Sequence, residues 1–286
     1  MKRTALLLAS LTFVAASGAR AQDLGRNQEA WTWDGHVASG NWFRLSSING
    51  PVTVEPSSDN MVHVRAEKDV GSRGRTSDVA FQVIQEGGDV RVCALWRDDV
   101  CDDDGLHRRR DRDRDDDNDR RDVKVRFTVK VPSGVRLSAG TVNGEMRVRD
   151  VSSDVRASTV NGRVEVRNVG GPVRATTVNG SVDVTTRTGP VEATTVNGSV
   201  DVRMSELKGD GDMKFSTVNG DVTVETPASL DARVRLGTLH GSITSDYPVQ
   251  LSGRFGPRRA EGTIGRGGRE IEMETVNGSI ELRKVR

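Results

Sequence analysis

Apolar and polar positions alternate with a period of two through most of the chain, in short runs. On either side of Asn179, Val173 and Ala175 alternate with Arg174 and Thr176, and Val182 and Val184 with Ser181 and Asp183. Such alternation over a few residues predicts short, half-buried strands. The runs recur around one tetrapeptide. Thr-Val-Asn-Gly appears with Asn at 143, 161, 179 and 197, each 18 residues after the last. Asn-Gly between alternating strands ordinarily predicts a hairpin, and it favours positive φ at a sharp bend. A fixed period instead predicts a solenoid, in which each coil completes the core of the next. Equivalent residues then stack about 4.8 Å apart.

The register extends beyond the regular stretch. Asn219 follows at a step of 22, His240 at 21 and Asn277 at 37, and an early copy stands at Ser47–Gly50. Six residues before each origin stand Phe43, Leu137, Val155, Val173, Val191, Met213, Val234 and Ile271. Four before stand Leu45, Ala139, Ala157, Ala175, Ala193, Phe215, Leu236 and Met273, all apolar. The chain is therefore expected to be all-β: a single-stranded β-helix or solenoid of Asn-Gly-cornered coils, with an irregular N-terminal β part. Residues 61–131 alternate without the tetrapeptide and predict longer coils or an appended meander. Trp31 and Trp33 predict a lead-in strand or cap over the open end, with an aromatic carbohydrate platform as the alternative.

Several segments depart from the pattern. Residues 1–21 read as a secretory signal peptide: Lys2 and Arg3, an apolar stretch over 5–16, and the cleavage site Ala19-Arg20-Ala21. The rest, 22–286, is expected to be one exported solenoid domain, periplasmic or extracellular. Losing Lys2, Arg3 and Arg20 would take the formal charge from +1 to −2. No later stretch is apolar enough to span a membrane. Residues 97–122 hold twelve Asp and eight Arg with few apolar residues. They predict a disordered, mobile loop, with cation sites at Asp102–Asp104 or Asp115–Asp117 as the alternative. The mixed sign argues against nucleic acid. Cys93 and Cys101 are the only cysteines and predict a disulfide in an oxidising compartment. Residues 248–269 form a Gly/Arg-rich insertion. Its Arg254, Phe255, Arg258 and Arg259, with Arg266 and Arg269, make it a candidate basic binding loop.

Stacking turns positions into columns. Asn143, Asn161, Asn179, Asn197 and Asn219 form an amide column whose first role is structural, with Asn277 a further member and His240 a break. A Thr column from Thr141 to Thr275 runs beside it, explained by β-propensity or, alternatively, by a regular ligand such as ice. On one outward face Arg147 should stack on Glu165 and Glu145 on Arg163. Asp183 should stack on Asp201, the one carboxylate pair spaced for retaining glycoside hydrolysis. On the other face Arg156, Arg174, Lys214 and Arg235 lean basic, relieved by Glu192.

The repeated Thr-Val-Asn-Gly-x-Val-x-Val, the Val131-Pro132-Ser133-Gly134-Val135 lead-in and Ser252-Gly253-Arg254-Phe255-Gly256-Pro257 resemble a bacterial family. It is the putative-adhesin β-strand-repeat family, related to toast-rack modules linked to envelope-stress signalling. The resemblance covers roughly residues 43–282. It implies a right-handed β-helix and brings no catalytic residues. The expectation is a non-catalytic interaction or scaffold protein of the cell envelope, adhesin-like, with an envelope protein or glycan as partner and no cofactor or metal. The alternatives are a sensor module contacting a membrane partner and a polysaccharide-active enzyme.

Overall fold

The computed structural model describes residues 24–97, 99–102, 105–108, 122–252 and 257–285. The expected signal peptide lies outside them. Among the described residues the chain is all-β, with 25 strands in sheets of 12, 11 and 2. The two large sheets face one another. Each coil contributes one strand to each sheet, joined by the Asn-Gly corner. In the Asn179 coil, Val173–Thr176 lies in the 12-stranded sheet and Val182–Thr186 in the 11-stranded sheet. Val173, Ala175, Val182 and Val184 point between the sheets and are at most 3% exposed. Fully burying one such Val contributes about 2 kcal/mol. Neighbouring coils pair in parallel at equivalent positions, as in Val173↔Val191 and Val182↔Val200. The expected solenoid register is thus observed.

Glycine at the corner answers to close backbone approach. A Cβ built on Gly180 would lie 2.1 Å from the carbonyl oxygen of Gly162 in the adjacent coil. The corner Asn residues are absent from the non-glycine residues with positive φ. The positive φ expected of the Asn-Gly bend is carried by the glycines, as at Gly180 with φ +156°.

Stacking order departs from chain order at both ends. Arg269–Asn277 pairs in parallel with Met213–Ser216 on one side and with Ala232–His240 on the other. Ile280–Lys284 likewise lies between Val222–Thr226 and Ile243–Ser245. The Asn277 coil thus intercalates between the Asn219 and His240 coils. At the other end, the Asn49 coil lies between the Asn143 coil and two later strands, Asp89–Trp96 and Val123–Val131. Antiparallel strands then close that end: Val79–Glu86 on one sheet, Val62–Val70 and Ala30–Gly35 on the other. Residues 61–131 combine both expected arrangements.

The closed end holds most of the described aromatic residues. Trp31 is buried and stacks on Phe81 at 4.7 Å, Phe81 meets Phe127 edge-on at 6.0 Å, and Trp33 stacks on Phe43 at 6.2 Å. Trp31 and Trp33 are therefore cap residues packed on the core, and the carbohydrate-platform alternative falls. The Lys68 ammonium ties the cap together by donating to the carbonyl oxygens of Gly25, Arg26, Thr76 and Val79 at 2.6–2.9 Å.

One segment folds where a mobile loop was expected. Asp99–Asp102 and Gly105–Arg108 form a small antiparallel hairpin. Cys93 is disulfide-bonded to Cys101. Strand Asp89–Trp96 sends Val90, Val92, Ala94 and Trp96 into the main core, and Cys93 and Leu95 outward. Leu95, both cysteines and the partly buried Ile84 and Leu106 make a second, smaller cluster. That cluster gives the hairpin an apolar base, which the charge count of 97–122 did not reveal. In the Gly/Arg-rich insertion, Arg258–Ile264 pairs antiparallel with Ala232–His240 and with Gln250–Ser252. It extends the 12-stranded sheet.

Candidate interaction surface

Along the Asn-Gly corner three columns run the length of the stack. The Asn column is continuous. Asn161, Asn179, Asn197 and Asn219 each donate Nδ2 to the Oδ1 of the preceding Asn at 2.8–2.9 Å. Asn277 donates in the same way to Asn219 at 2.8 Å. His240 lies beyond Asn277, so it ends the column, which corrects the expected break in its middle. Asn49 stands at the opposite end and donates to Val123 O at 3.1 Å.

The Thr column is buried. Thr141, Thr159, Thr177, Thr195, Thr217, Thr275 and Thr238 each donate Oγ1 to the corner Gly carbonyl of the neighbouring coil at 2.8–3.2 Å. A column enclosed this way cannot face a regular ligand, so the ice-like alternative falls. Between Thr and Asn stands a column that sequence reasoning missed. Val142, Val160, Val178, Val196, Val218, Val276 and Leu239 are 37–44% exposed. The signal was present, since the position between Thr and Asn is apolar in every copy. Neither the core positions nor the polar columns drew attention to it.

The outward face of the 11-stranded sheet carries charge in the expected register. Arg147 faces Glu165, and Glu165 also takes Arg149 at 3.3 Å and Arg167. Arg163 aligns with Glu145 in the register, but its ion pair is with Asp183 at 3.0 Å, while Glu145 takes Arg147. Asp183 and Asp201 are paired neighbours. Partial burial, then the Asp183 and Asp221 carboxylates, raise the Asp201 carboxyl above its ordinary value.

The other outward face is less basic than chain order implied. Intercalation puts Glu272 between Lys214 and Arg235, with Lys214–Glu272 at 2.7 Å and Arg235–Glu270 paired at 2.5 Å. Arg174 pairs with Glu192 at 2.8 Å.

Among the described residues, the arginines of the Gly/Arg-rich insertion fall into two groups. Arg258 and Arg259 are exposed opposite Thr238 and Gly237. Arg254 and Phe255 lie outside the described residues. Arg266 and Arg269 fall beyond the other end of strand Arg258–Ile264, about 20 Å away at strand rise. There they line a cleft of about 750 Å³ with Lys208, Glu206, Asp210 and Asp231. Its charges are largely matched. Arg266 binds Asp231 at 2.9 Å, Arg269 donates to Gly209 O, and Lys208 lies 3.7 Å from Glu206. The backbone and side chain of Arg266 hold the Asp231 carboxyl below its ordinary value.

Among the described residues no group of three or more His, Cys, Asp or Glu is placed to hold a metal ion. Asp103, Asp104 and Asp115–Asp117 lie outside them. No helix among the described residues is long and apolar enough to cross a membrane.

Two facing sheets wound from stacked two-strand coils define a flattened β-solenoid. The family model described as Toastrack DUF4097 matches residues 127–283, more than half of the chain, and the chain belongs to that family. It matches no curated protein in sequence. Among solved structures it is similar to a putative cell adhesion protein from Clostridium sporogenes, at 8% identity and a TM-score of 0.39. That likeness covers 90% of this chain and 99% of the other. It is also similar to a putative adhesin from Bacteroides fragilis, at 12% identity and a TM-score of 0.44, over 90% and 98%.

Proposed function

We propose that the protein is an exported, non-catalytic interaction or scaffold protein of the cell envelope, adhesin-like in role. The observation that carries this reading is the unbroken corner of the stack. Side-chain amides bonded from coil to coil stiffen it, and a parallel row of half-exposed Val side chains gives it a repeating outer surface. Such a surface offers many equivalent contacts along one line, which suits adhesion or scaffolding better than turnover. The apolar-stretch and cleavage pattern of residues 1–21 supports export. The test immobilises the protein lacking residues 1–21 and passes envelope extract over it, with turnover of retained glycans measured in parallel. Specific retention without turnover is expected. Turnover without retention overturns the reading.

A polysaccharide-active site is the second reading, favoured by the raised Asp201 carboxyl beside Asp183. Paired carboxylates with separated protonation are what acid–base glycoside chemistry requires. Replacing both by Asn abolishes turnover if the pair is the site, and unchanged turnover removes it.

A further inference from the structure

Trp42 lies on the outward face of the 12-stranded sheet, next to the inward Phe43 and Leu45. Trp42 as a whole is only 8% exposed. Three guanidinium groups cover it, with the Arg44, Arg136 and Arg156 carbons 5.3, 4.8 and 4.5 Å from the ring centroid. Each cation gains from the ring, but three like charges on one indole repel one another. One carboxylate opposes them. Asp89 binds Arg44 at 2.8 Å and accepts the Trp42 backbone N–H at 2.8 Å. Among the described residues no carboxylate lies within ion-pair distance of Arg136 or Arg156.

The same face shows that this excess is local. Farther along, Lys214 and Arg235 each meet a glutamate. Near Trp42 the register continues the row instead: Arg44, Ser138, Arg156 and Arg174 occupy equivalent positions on four adjacent strands. Three steps at strand spacing span about 14 Å. Beside Arg156 and Arg174 runs a groove of about 220 Å³ with Pro172 and Pro190 in its wall. Its carboxylates are Glu192, which pairs with Arg174, and Asp154 and Asp212, which precede their strands at the end opposite the Asn-Gly corner. Asp212 accepts the Glu270 N–H.

We propose that this row binds a linear glycan bearing an anionic oxygen group, carboxylate, sulfate or phosphate, on successive sugars. The proposal rests on the interaction reading above and names its partner class. Guanidinium forks on adjacent strands match anionic groups repeated along a chain, and each fork accepts such a group in bidentate fashion. A bilayer is disfavoured because no exposed large apolar side chain lies within the row to enter it; the Val ladder is at the corner. Single-stranded nucleic acid is disfavoured because the one aromatic ring is covered and offers no stacking platform.

The experiment measures binding of the full mature chain by calorimetry to oligogalacturonate, dextran sulfate, neutral dextran and phosphatidylglycerol vesicles. Binding to at least one of the two charged glycans, weakening with salt, and none to neutral dextran are expected. The double variant R156Q/R174Q should lose at least tenfold in affinity with unchanged circular dichroism and melting, because both side chains are exposed. R235Q, on the same face but outside the row, should bind as the parent does. The proposal is overturned if neither charged glycan binds, if R156Q/R174Q binds equally, or if vesicles bind and the glycans do not. If R156Q/R174Q still retains envelope material as the parent does, this site falls while the interaction reading stands.

Discussion

Asn277 donates its side-chain amide to Asn219 Oδ1 at 2.8 Å across 58 residues of chain. It thereby takes the place in the column that chain order would give to His240. The two residues are consecutive rungs, and the coil between them in sequence stacks outside both.

Replacing Asn277 by Ala removes that rung and is expected to cost about 1 kcal/mol, the usual net worth of one hydrogen bond. Replacing the exposed His240 by Ala should stay within about 0.5 kcal/mol. Urea unfolding of the two variants checks the order, because a stack following the sequence would make His240 the interior rung.

Gly180 tolerates no side chain. A methyl group there would meet the Gly162 carbonyl at 2.1 Å, and the obstacle is backbone, which cannot rotate away. Gly180→Ala is expected to destabilise the protein by about 3 kcal/mol or more. Gly209, where nothing lies within 4 Å, is the control; Ala there meets no clash and carries only the cost of its positive φ, about 1 kcal/mol. Equal melting temperatures for the two variants would contradict the close-approach account.

Thr177 donates to Gly162 O at 2.9 Å while only 1% exposed. Thr177→Val keeps the shape and removes the donor, with an expected cost of about 1–2 kcal/mol. Thr177→Ser keeps the donor and should lose less. If Val proves the milder change, the column is held by packing alone.

His63 provides a pH-dependent tie at the capped end. Its Nδ1 lies 2.5 Å from Asp34 and its Nε2 2.9 Å from Asp59. Asp34 first, then Asp59, raise the imidazole above its ordinary 6.5. The Met61 N–H, then His63 and Ser57, lower Asp59 to about 2. The folded imidazole holds its proton more tightly than the unfolded one. Its contribution is therefore complete below pH 6.5 and is lost as pH rises through the folded value. Asp59 acts in the opposite sense: its contribution is complete above 3.8 and is lost as pH falls through about 2. His63→Gln should remove the His63 share of the fall in melting temperature as pH rises past 6.5. A His63 proton titration by NMR with its midpoint at or below 6.5 would rule the tie out.

The coil and its register were readable because each coil repeats the same apolar positions, and Val173 and Ala175 mark the core face as plainly as Val191 and Ala193. Coil order was not readable. Period fixes which residues of two coils align, but His240 and Asn277 align equally well whichever of them follows Asn219. The charge balance of the outer face went astray for the same reason, since Glu272 reaches Lys214 only after intercalation. The hairpin at 99–108 escaped notice because its cover is a handful of residues, Leu95, Leu106 and the two cysteines, set within a strongly charged stretch. The Arg cluster at Trp42 joins strands more than ninety residues apart in sequence, and no local pattern announces it.

The intercalated coil also sets the order in which the molecule can be assembled. A chain emerging amino end first can stack the Asn143 to Asn219 coils as they appear, each on a finished neighbour. Strand Ala232–His240 has no such neighbour at that moment. Both strands that flank it, Arg258–Ile264 and Arg269–Asn277, are made later. The penultimate coil can pair with Arg258–Ile264 first, but it joins the stack only when the last one slides in beneath it. Trimming residues 269–285 would then unseat two coils, and the final stretch of chain acts as the latch on a stack begun far upstream.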